Sequence, residues 1–503
     1  MAQAPGVYTS IVAAPSSSNS SPPTGTWFVT GQTQAGPTGV AVPITSMGDY
    51  LAYLGARVSY GILYDSLDEF FHDGGVLAYV SRITGPAAVS AAVTLVDQAG
   101  SPLSTLSVTA GGAGTWGNNL SVTIATGSVS NSYTIAVKTI SPVATIITSP
   151  NLLTPADAVT WANSLNVWQS GVVIANLGSA TAAPTNNPAN GSFPLVSGAD
   201  DNANTTEAEW TAALTSFSGH YGSGQVSAPG HTTETGYVAL NTHAIAFNRV
   251  SLLDVADSAT AATLATQAST FQTAGGGGDA SYGALFAPWV VIPGIPTALP
   301  SSSSFAPVRV VPPSALVAAA MAKSDLTNDT NTPAAGPNGA SSYAIGVTNS
   351  YTSADRGTLN AAGVNVIRTM PNGVIELYGY RSLALDPAWV FLNNVRFRMQ
   401  VINEFDVIGE ALVFQEIDGR GHLFARFNTA LSGKCQQYWL DNSIYGATAA
   451  EAFSVNTGPG VNTPATIAAG QLGAQVSLRM SPAAEVVTIS VVKYSVAQTL
   501  PGQ

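Results

Sequence analysis

Cysteine is almost absent from this chain, histidine is rare and charge is thin. The single cysteine, Cys435, excludes an internal disulfide framework and any cysteine pair at metal spacing. Only 9% of residues are charged, yet no apolar run approaches the roughly 18 residues needed to cross a bilayer. The nearest, Ala315 to Ala322, is much shorter. The phosphate loop GxxxxGK[ST], the HExxH metal helix and the GxSxG nucleophile elbow are all missing, so no motif supports nucleotide, zinc or serine-hydrolase chemistry. No basic segment leads into an apolar one at the N-terminus, so Sec-type export is not expected and assembly in the cytoplasm where the chain is made is. No catalytic residue, cofactor or metal is expected.

The residues that could carry chemistry read as structural. His220, His231 and His243 share one segment and are the only candidate metal cluster, but without nearby cysteines they read as loop and helix-surface residues. Asp200, Asp201, Glu207 and Glu209 lack the alternate-oxygen spacing of a calcium loop and read as a solvated helix start, where carboxylates favour the helix dipole. Cys435 reads as a small buried hydrophobe.

The net charge of −12 is unevenly spread. Residues 1–355 hold 6 Lys or Arg against 18 Asp or Glu, whereas residues 356–503 hold 10 of each. An acidic chain without clustered Lys and Arg is a poor phosphate binder, so no direct nucleic-acid partner is expected. Low charge with abundant Ala, Thr, Ser and Gly fits two readings: a surface largely covered by copies of the same chain, or the composition of a GC-rich genome.

At 503 residues the chain divides into about three or four domains. Residues 1–23 read as an arm, with a strand pattern at Val7, Tyr8, Ile11 and Val12 followed by the tether SSSNSSPP, which cannot build a core. Residues 24–86 alternate strand, helix and strand, with Ser46 as an N-cap three residues before Asp49 and Gly74-Gly75 as a stop. From 87 to 198 short Val, Ile and Thr runs (AAVTLVD, STLSVTA, NLSVTIAT, SYTIAVKTI) predict a β-rich insertion, a small sandwich or barrel with one helix at PADAVTWANSL. Residues 199–344 return to α/β alternation, in which EAEWTAALTSF and GYVALNTHAIAF are helical and RVSLLDVAD is a strand. The segments 299–306 and 326–342 are Ser, Pro, Asn and Gly-rich and are expected to be exposed or mobile.

The clearest local pattern lies between Gly357 and Ile402. GVNVIRT predicts a strand, MPNG a turn and VIELYGY a returning strand. Asp386 and Pro387 then predict a helix start, after which Trp389, Leu392, Val395, Met399, Ile402 and Phe405 recur at three or four residues.

This GVN-x-IR strand, the G-x-R-[ST]-L turn and the D-x-x-W helix start resemble the C-terminal region of contractile tail sheath proteins. APGVY at Ala4 to Tyr8, TGTWFVTGQTQAGP, ITSMGDYLAYLG and FFHDGGVLAYVSRI resemble the N-terminal core of that family in order and spacing. GTWGNNLSVTI, LVSGAD, APW and VVPPSALVAAAMAKSD resemble further sheath segments, so the likeness covers nearly the whole chain.

The resemblance implies a mixed α/β multidomain fold: an α/β sheath core carrying a β-rich insertion domain, a C-terminal inner sheath domain over 345–484, and extended arms at 1–23 and 485–503. It implies a virion structural protein of the phage tail, or of a genome-free injection particle. Such a subunit polymerises around a tail tube, contacts baseplate and tail terminator proteins, and contracts for DNA ejection or effector delivery without consuming a nucleotide. Strand exchange with neighbouring subunits is expected through Val7, Tyr8, Ile11 and Val12 at one end and Val487, Ile489 and Val491 at the other. Arg396 and Arg398 are the candidates for facing an acidic tube. The alternative from another class is a secreted carbohydrate-binding or carbohydrate-active β protein, which needs paired carboxylates in an aromatic cleft.

Overall fold

The computed structural model describes residues 24–294, 308–485 and 493. The arm residues Val7, Tyr8, Ile11, Val12, Val487, Ile489 and Val491, and the segment 299–306, lie outside the described residues.

The chain opens with strand β1 (Trp27–Gln32), then β2 (Val42–Ile44), helices α1 (Met47–Leu54) and α2 (Leu63–His72), and β3 (Ala78–Ile83). Ser46 caps α1 as expected, its hydroxyl accepting from the Asp49 amide. The Asp49 carboxylate reaches back to the Thr45 amide and hydroxyl, so both ends of the first turn are satisfied.

Seven strands follow: β4 (Ala92–Val96), β5 (Ser104–Ala110), β6 (Leu120–Thr126), β7 (Tyr133–Thr139), β8 (Ala144–Thr148), β9 (Val172–Asn176) and β10 (Gly191–Pro194), with α3 (Pro155–Asn163) and α4 (Val167–Ser170) before β9. They form two antiparallel sheets, β4-β5-β9 and β10-β6-β7-β8. Alternation puts Leu120, Val122 and Ile124 of β6 and Tyr133, Ile135 and Val137 of β7 on one face, where they share a core with Leu106, Val108 and Ile174 of the other sheet. The four strand-like runs and the helix at 155–163 stand where the sequence placed them. β8, β9 and β10 are additions; β8 in particular is mostly exposed and carries little apolar alternation.

The remainder comprises α5 (Glu207–Leu214), β11 (Gln225–Ser227), α6 (Glu234–Ala246), β12 (Val250–Leu253), α7 (Ala261–Thr273), β13 (Gly283–Ala287), β14 (Val290–Pro293), β15 (Val308–Val311), α8 (Pro313–Thr327), β16 (Gly346–Val347), α9 (Ser353–Ala361), β17 (Val364–Thr369), β18 (Ile375–Leu377), α10 (Leu392–Glu410), α11 (His422–Leu440), β19 (Phe453–Asn456) and β20 (Gln475–Leu478).

The main sheet runs β18-β17-β13-β12-β11-β1-β3-β2, with six parallel strands between two antiparallel edge strands. Parallel strands are covered on both faces, and this sheet obeys that rule. Trp27 and Val29 pack with Leu67, Phe70 and Leu316 of α2 and α8 on one side. Phe28, between them, packs with Phe217, Leu240 and Phe271 on the other. Ala315 to Ala322 of α8 are buried without interruption, which is why that run is apolar on every face of its helix.

Three expectations need correction. Asp386 does cap a helical turn, through the Ala388 amide, but the turn is a short 3₁₀ piece at Pro387–Trp389 and α10 begins only at Leu392. The break has a cause: Ser382 takes the carbonyl of Val390 through its amide and that of Trp389 through its hydroxyl, and Arg381 bridges Phe391, where the backbone leaves the helical region at φ −85°, ψ 121°. Leu392, Val395 and Met399 are buried as the periodicity requires, while Ile402 is exposed. Second, 326–342 is not an exposed loop throughout. Thr330, Asn331 and Ala334 are buried, because Thr330 donates to Gln400 and Asn331 donates to the Ser443 carbonyl. Third, the main sheet crosses the expected boundary at 344/345, since β17 pairs in parallel with β13 and the β17–β18 hairpin completes the sheet.

Candidate functional site

Helix α2 carries a dense charge cluster. Asp65 accepts from Arg57 on one side and from Arg309 at 2.9 Å on the other, and Arg309 also reaches Asp68 at 2.5 Å. Tyr343 donates to Asp68, and Asp73 accepts from the Ser342 and Tyr343 amides. These bonds staple α2 to β15, 241 to 244 positions away, and to the loop before β16, 269 to 275 positions away. Beneath them Glu69 is fully buried, and neither its oxygens nor Asp73 Oδ2 has a donor among the described residues. Burial first, then the neighbouring Asp73, pushes the Glu69 carboxyl up to about 10. Glu69 is thus a neutral acid whose proton supplies the missing donor. This pair of carboxyls is closed to any substrate.

Arg396 does not face a surface. Its guanidinium is 3% exposed and pairs with Asp325 at 2.6 Å, with Tyr380 beside it. Burial opposes its charge, but the Asp325 carboxylate outweighs that and holds it well above the usual arginine range. Arg396 is therefore not available for the expected tube contact: a desolvated arginine must keep its internal carboxylate. Arg398 is half-buried against Trp389 and Tyr282, with Ser281 as its hydrogen-bond partner, so its planar face is already occupied.

The other singled-out residues are dispersed. His220 accepts or donates at Ser218, His231 stacks on Trp210 and bonds Glu207, and His243 is buried against Arg249. Asp200 bonds Thr115, Asp201 bonds the Ala87 amide, and Glu209 completes a capping box with Thr206. The two aspartates thereby tie the exit of the insertion to its own Thr115 turn and to its entry at Ala87, while Arg82 of β3 donates to the Ala113 carbonyl and links that base to the main sheet. Cys435 is buried, and burial raises its thiol to about 11.

A crevice of about 400 Å³ opens at the carboxyl ends of β1 and β11. There the sheet order reverses direction, the position where open α/β sheets form clefts. Trp210, Trp289, Tyr60 and Val310 wall it, and the one carboxylate among its described lining residues, Asp65, is held by two arginines. That arrangement lacks the paired accessible carboxyls of a glycosidase.

The C-terminal helices form a separate small core of Phe397, Val401, Tyr438, Ile444 and Ala452. Tyr438 donates to Glu404, which Lys434 also contacts at 2.6 Å. Beside them β19 and β20 make a two-stranded antiparallel sheet, Phe453 opposite Leu478, whose outer β20 edge pairs with no strand among the described residues. Sequence reasoning did not single out this hairpin, because FSVN and QVSL are too short to separate from loop.

No family model and no curated protein matches the chain. Solved structures do. The contracted helical sheath of the anti-feeding prophage is 17% identical with a TM-score of 0.54, covering 99% of this chain and 100% of that one. The contracted PVC sheath complex of an extracellular contractile injection system is 15% identical with a TM-score of 0.55, covering 98% of each chain. A sheath tail protein from Listeria innocua is 14% identical with a TM-score of 0.57, covering 86% of this chain and 89% of that one. The chain has the fold of the contractile sheath proteins.

Proposed function

We propose that this chain is the structural subunit of a contractile tail sheath. It polymerises helically around a tail tube, docks on a baseplate, and shortens to drive the tube through a bacterial envelope. The observation that carries this reading is the end-to-end likeness to sheath chains in their assembled, contracted form. The energy of contraction resides in the difference between two sets of intersubunit contacts, released when the baseplate removes a kinetic barrier.

The arms are the means of holding neighbours together. A two-stranded antiparallel sheet is marginal in water, and among the described residues β19–β20 presents an unpaired edge. We assign β20 as the acceptor for an arm strand of a neighbouring subunit, carrying Val7, Tyr8, Ile11 and Val12 or Val487, Ile489 and Val491. Main-chain bonds of roughly 0.5–1.5 kcal/mol each would then link subunits while the globular bodies repack. The inner layer against the tube is assigned to the α10–α11 and β19–β20 unit, and residues 87–198 to an outer insertion domain.

The test is truncation. Variants lacking residues 1–20, or ending at Ala484, should melt cooperatively like the full chain yet form no tubes by electron microscopy. Normal tubes from both would refute strand exchange.

A further inference from the structure

The crevice beside β1 and the turn after α10 have complementary chemistry. The side chain of Phe414 is fully exposed, and its backbone adopts φ 63°, a left-handed conformation that aromatic residues avoid. Backbone strain at an exposed aromatic points to a function outside the subunit's own core. Val407 and Val413, each about half exposed, widen the apolar patch. Asp406, Glu410 and Glu416 lie exposed around it, and none has an ion-pair partner among the described residues. The turn is thus an apolar knob with an acidic rim.

The crevice is the reverse. Trp210 and Trp289 give aromatic walls, and its volume of about 400 Å³ exceeds what one aromatic side chain needs. Its one lining carboxylate among the described residues, Asp65, is already engaged by arginines, and some of its donors have spare capacity. Arg57 uses Nε and Nη2 on Asp65 and leaves Nη1 without a partner among the described residues. Gly61, Ile62 and Leu63 at the start of α2 line the crevice, and no side chain caps that helix. Thr30, 1% exposed, also lines it, and its hydroxyl has no partner among the described residues. A positive helix end and a free guanidinium N–H favour carboxylates.

We infer that Phe414 of one subunit seats in the Trp210–Trp289 crevice of a second copy of this chain, with the carboxylates of its rim against Arg57 and the α2 N-terminus. A knob and a socket at different places on one molecule make a heterologous contact, and such a contact propagates into an open helix rather than closing as a dimer. The inference rests on the sheath reading and gives its assembly one specific contact.

The experiment uses the full chain in a tube-formation assay read by sedimentation and electron microscopy. Phe414→Ala, which removes no core residue, and Val310→Glu, which places a like charge at the socket, should each raise the concentration needed for tubes by about tenfold or more. In the F414C/V310C double variant, a short bis-maleimide should yield a ladder of covalent oligomers from tubes and none from either single variant. Tubes that form normally in both charge and knob variants and give no ladder overturn the contact while leaving the sheath reading intact. A wild-type chain that forms no tubes under any condition overturns both.

Discussion

Arg396 and Asp325 form a buried ion pair 2.6 Å long that joins α10 to the end of α8. Thr24 donates to the same carboxylate oxygen, so the junction gathers the start of the main domain, its central helix and the C-terminal helix. Arg396→Met should leave Asp325 uncompensated and cost about 3–5 kcal/mol, whereas the double variant R396M/D325L should recover much of that loss. Urea unfolding of the single and double variants measures the difference. Equal losses in both would mean that packing rather than the charge pair matters.

Glu69 gives a pH prediction with a definite sign. Its folded value of about 10 lies above the ordinary 4.5, so its contribution to stability is present at low pH and is lost as pH rises through that window. Each pH unit corresponds to about 1.4 kcal/mol at most. Glu69→Gln removes the titration and offers an amide donor to Asp73. The variant should match the native chain near pH 5 and exceed it in melting temperature increasingly from pH 7 to 9. Parallel melting curves across that range would contradict a neutral Glu69.

His243 acts with the opposite sign. Burial, then the adjacent Arg249, lowers it to about 3 from 6.5, and Arg249 Nη1 donates to its Nε2 at 2.8 Å. A neutral folded histidine contributes stability above about pH 6.5 that is lost as pH falls toward 3. Asp254, raised by burial from 3.8 to about 6, opposes this slope between those two values, so the His243 effect shows most clearly below pH 3.8. His243→Gln, which keeps an acceptor for Arg249, should flatten the acid limb of the stability curve below pH 6. An unchanged acid limb would show that other groups set it.

The residues 91–195 core shares no member with the main sheet's two cores. Deleting residues 88–197 with a short linker should therefore leave a soluble protein that unfolds cooperatively by calorimetry. Aggregation or a non-cooperative melt would show that Asp200, Asp201 and Arg82, at the base of the insertion, depend on it.

Much of the fold was legible where local chemistry decides it. Ser46 with Asp49, the Asn372-Gly373 turn with Gly373 at φ 86°, and the alternating runs at 120–126 and 133–139 are settled within a few residues of chain. What failed depends on distant partners. Whether Arg396 meets solvent is decided by Asp325, 71 positions away, and no spacing rule reports that. The onset of α10 is decided by Ser382, whose two hydrogen bonds override the Asp386-Pro387 start signal. Phe414 carried no signal either, since a lone aromatic in a turn looks like any core residue until its exposure is known.

A sheath subunit of the proposed kind assembles into a hollow helical sleeve. Electron microscopy of the purified full-length chain, concentrated alone and in the presence of its tube protein, tests it most directly. Tubes with a regular helical repeat and a lumen wide enough for a tube are expected, with β19–β20 extended by strands from neighbouring subunits in the reconstruction. Monodisperse single chains at every concentration and with the tube protein present would contradict it.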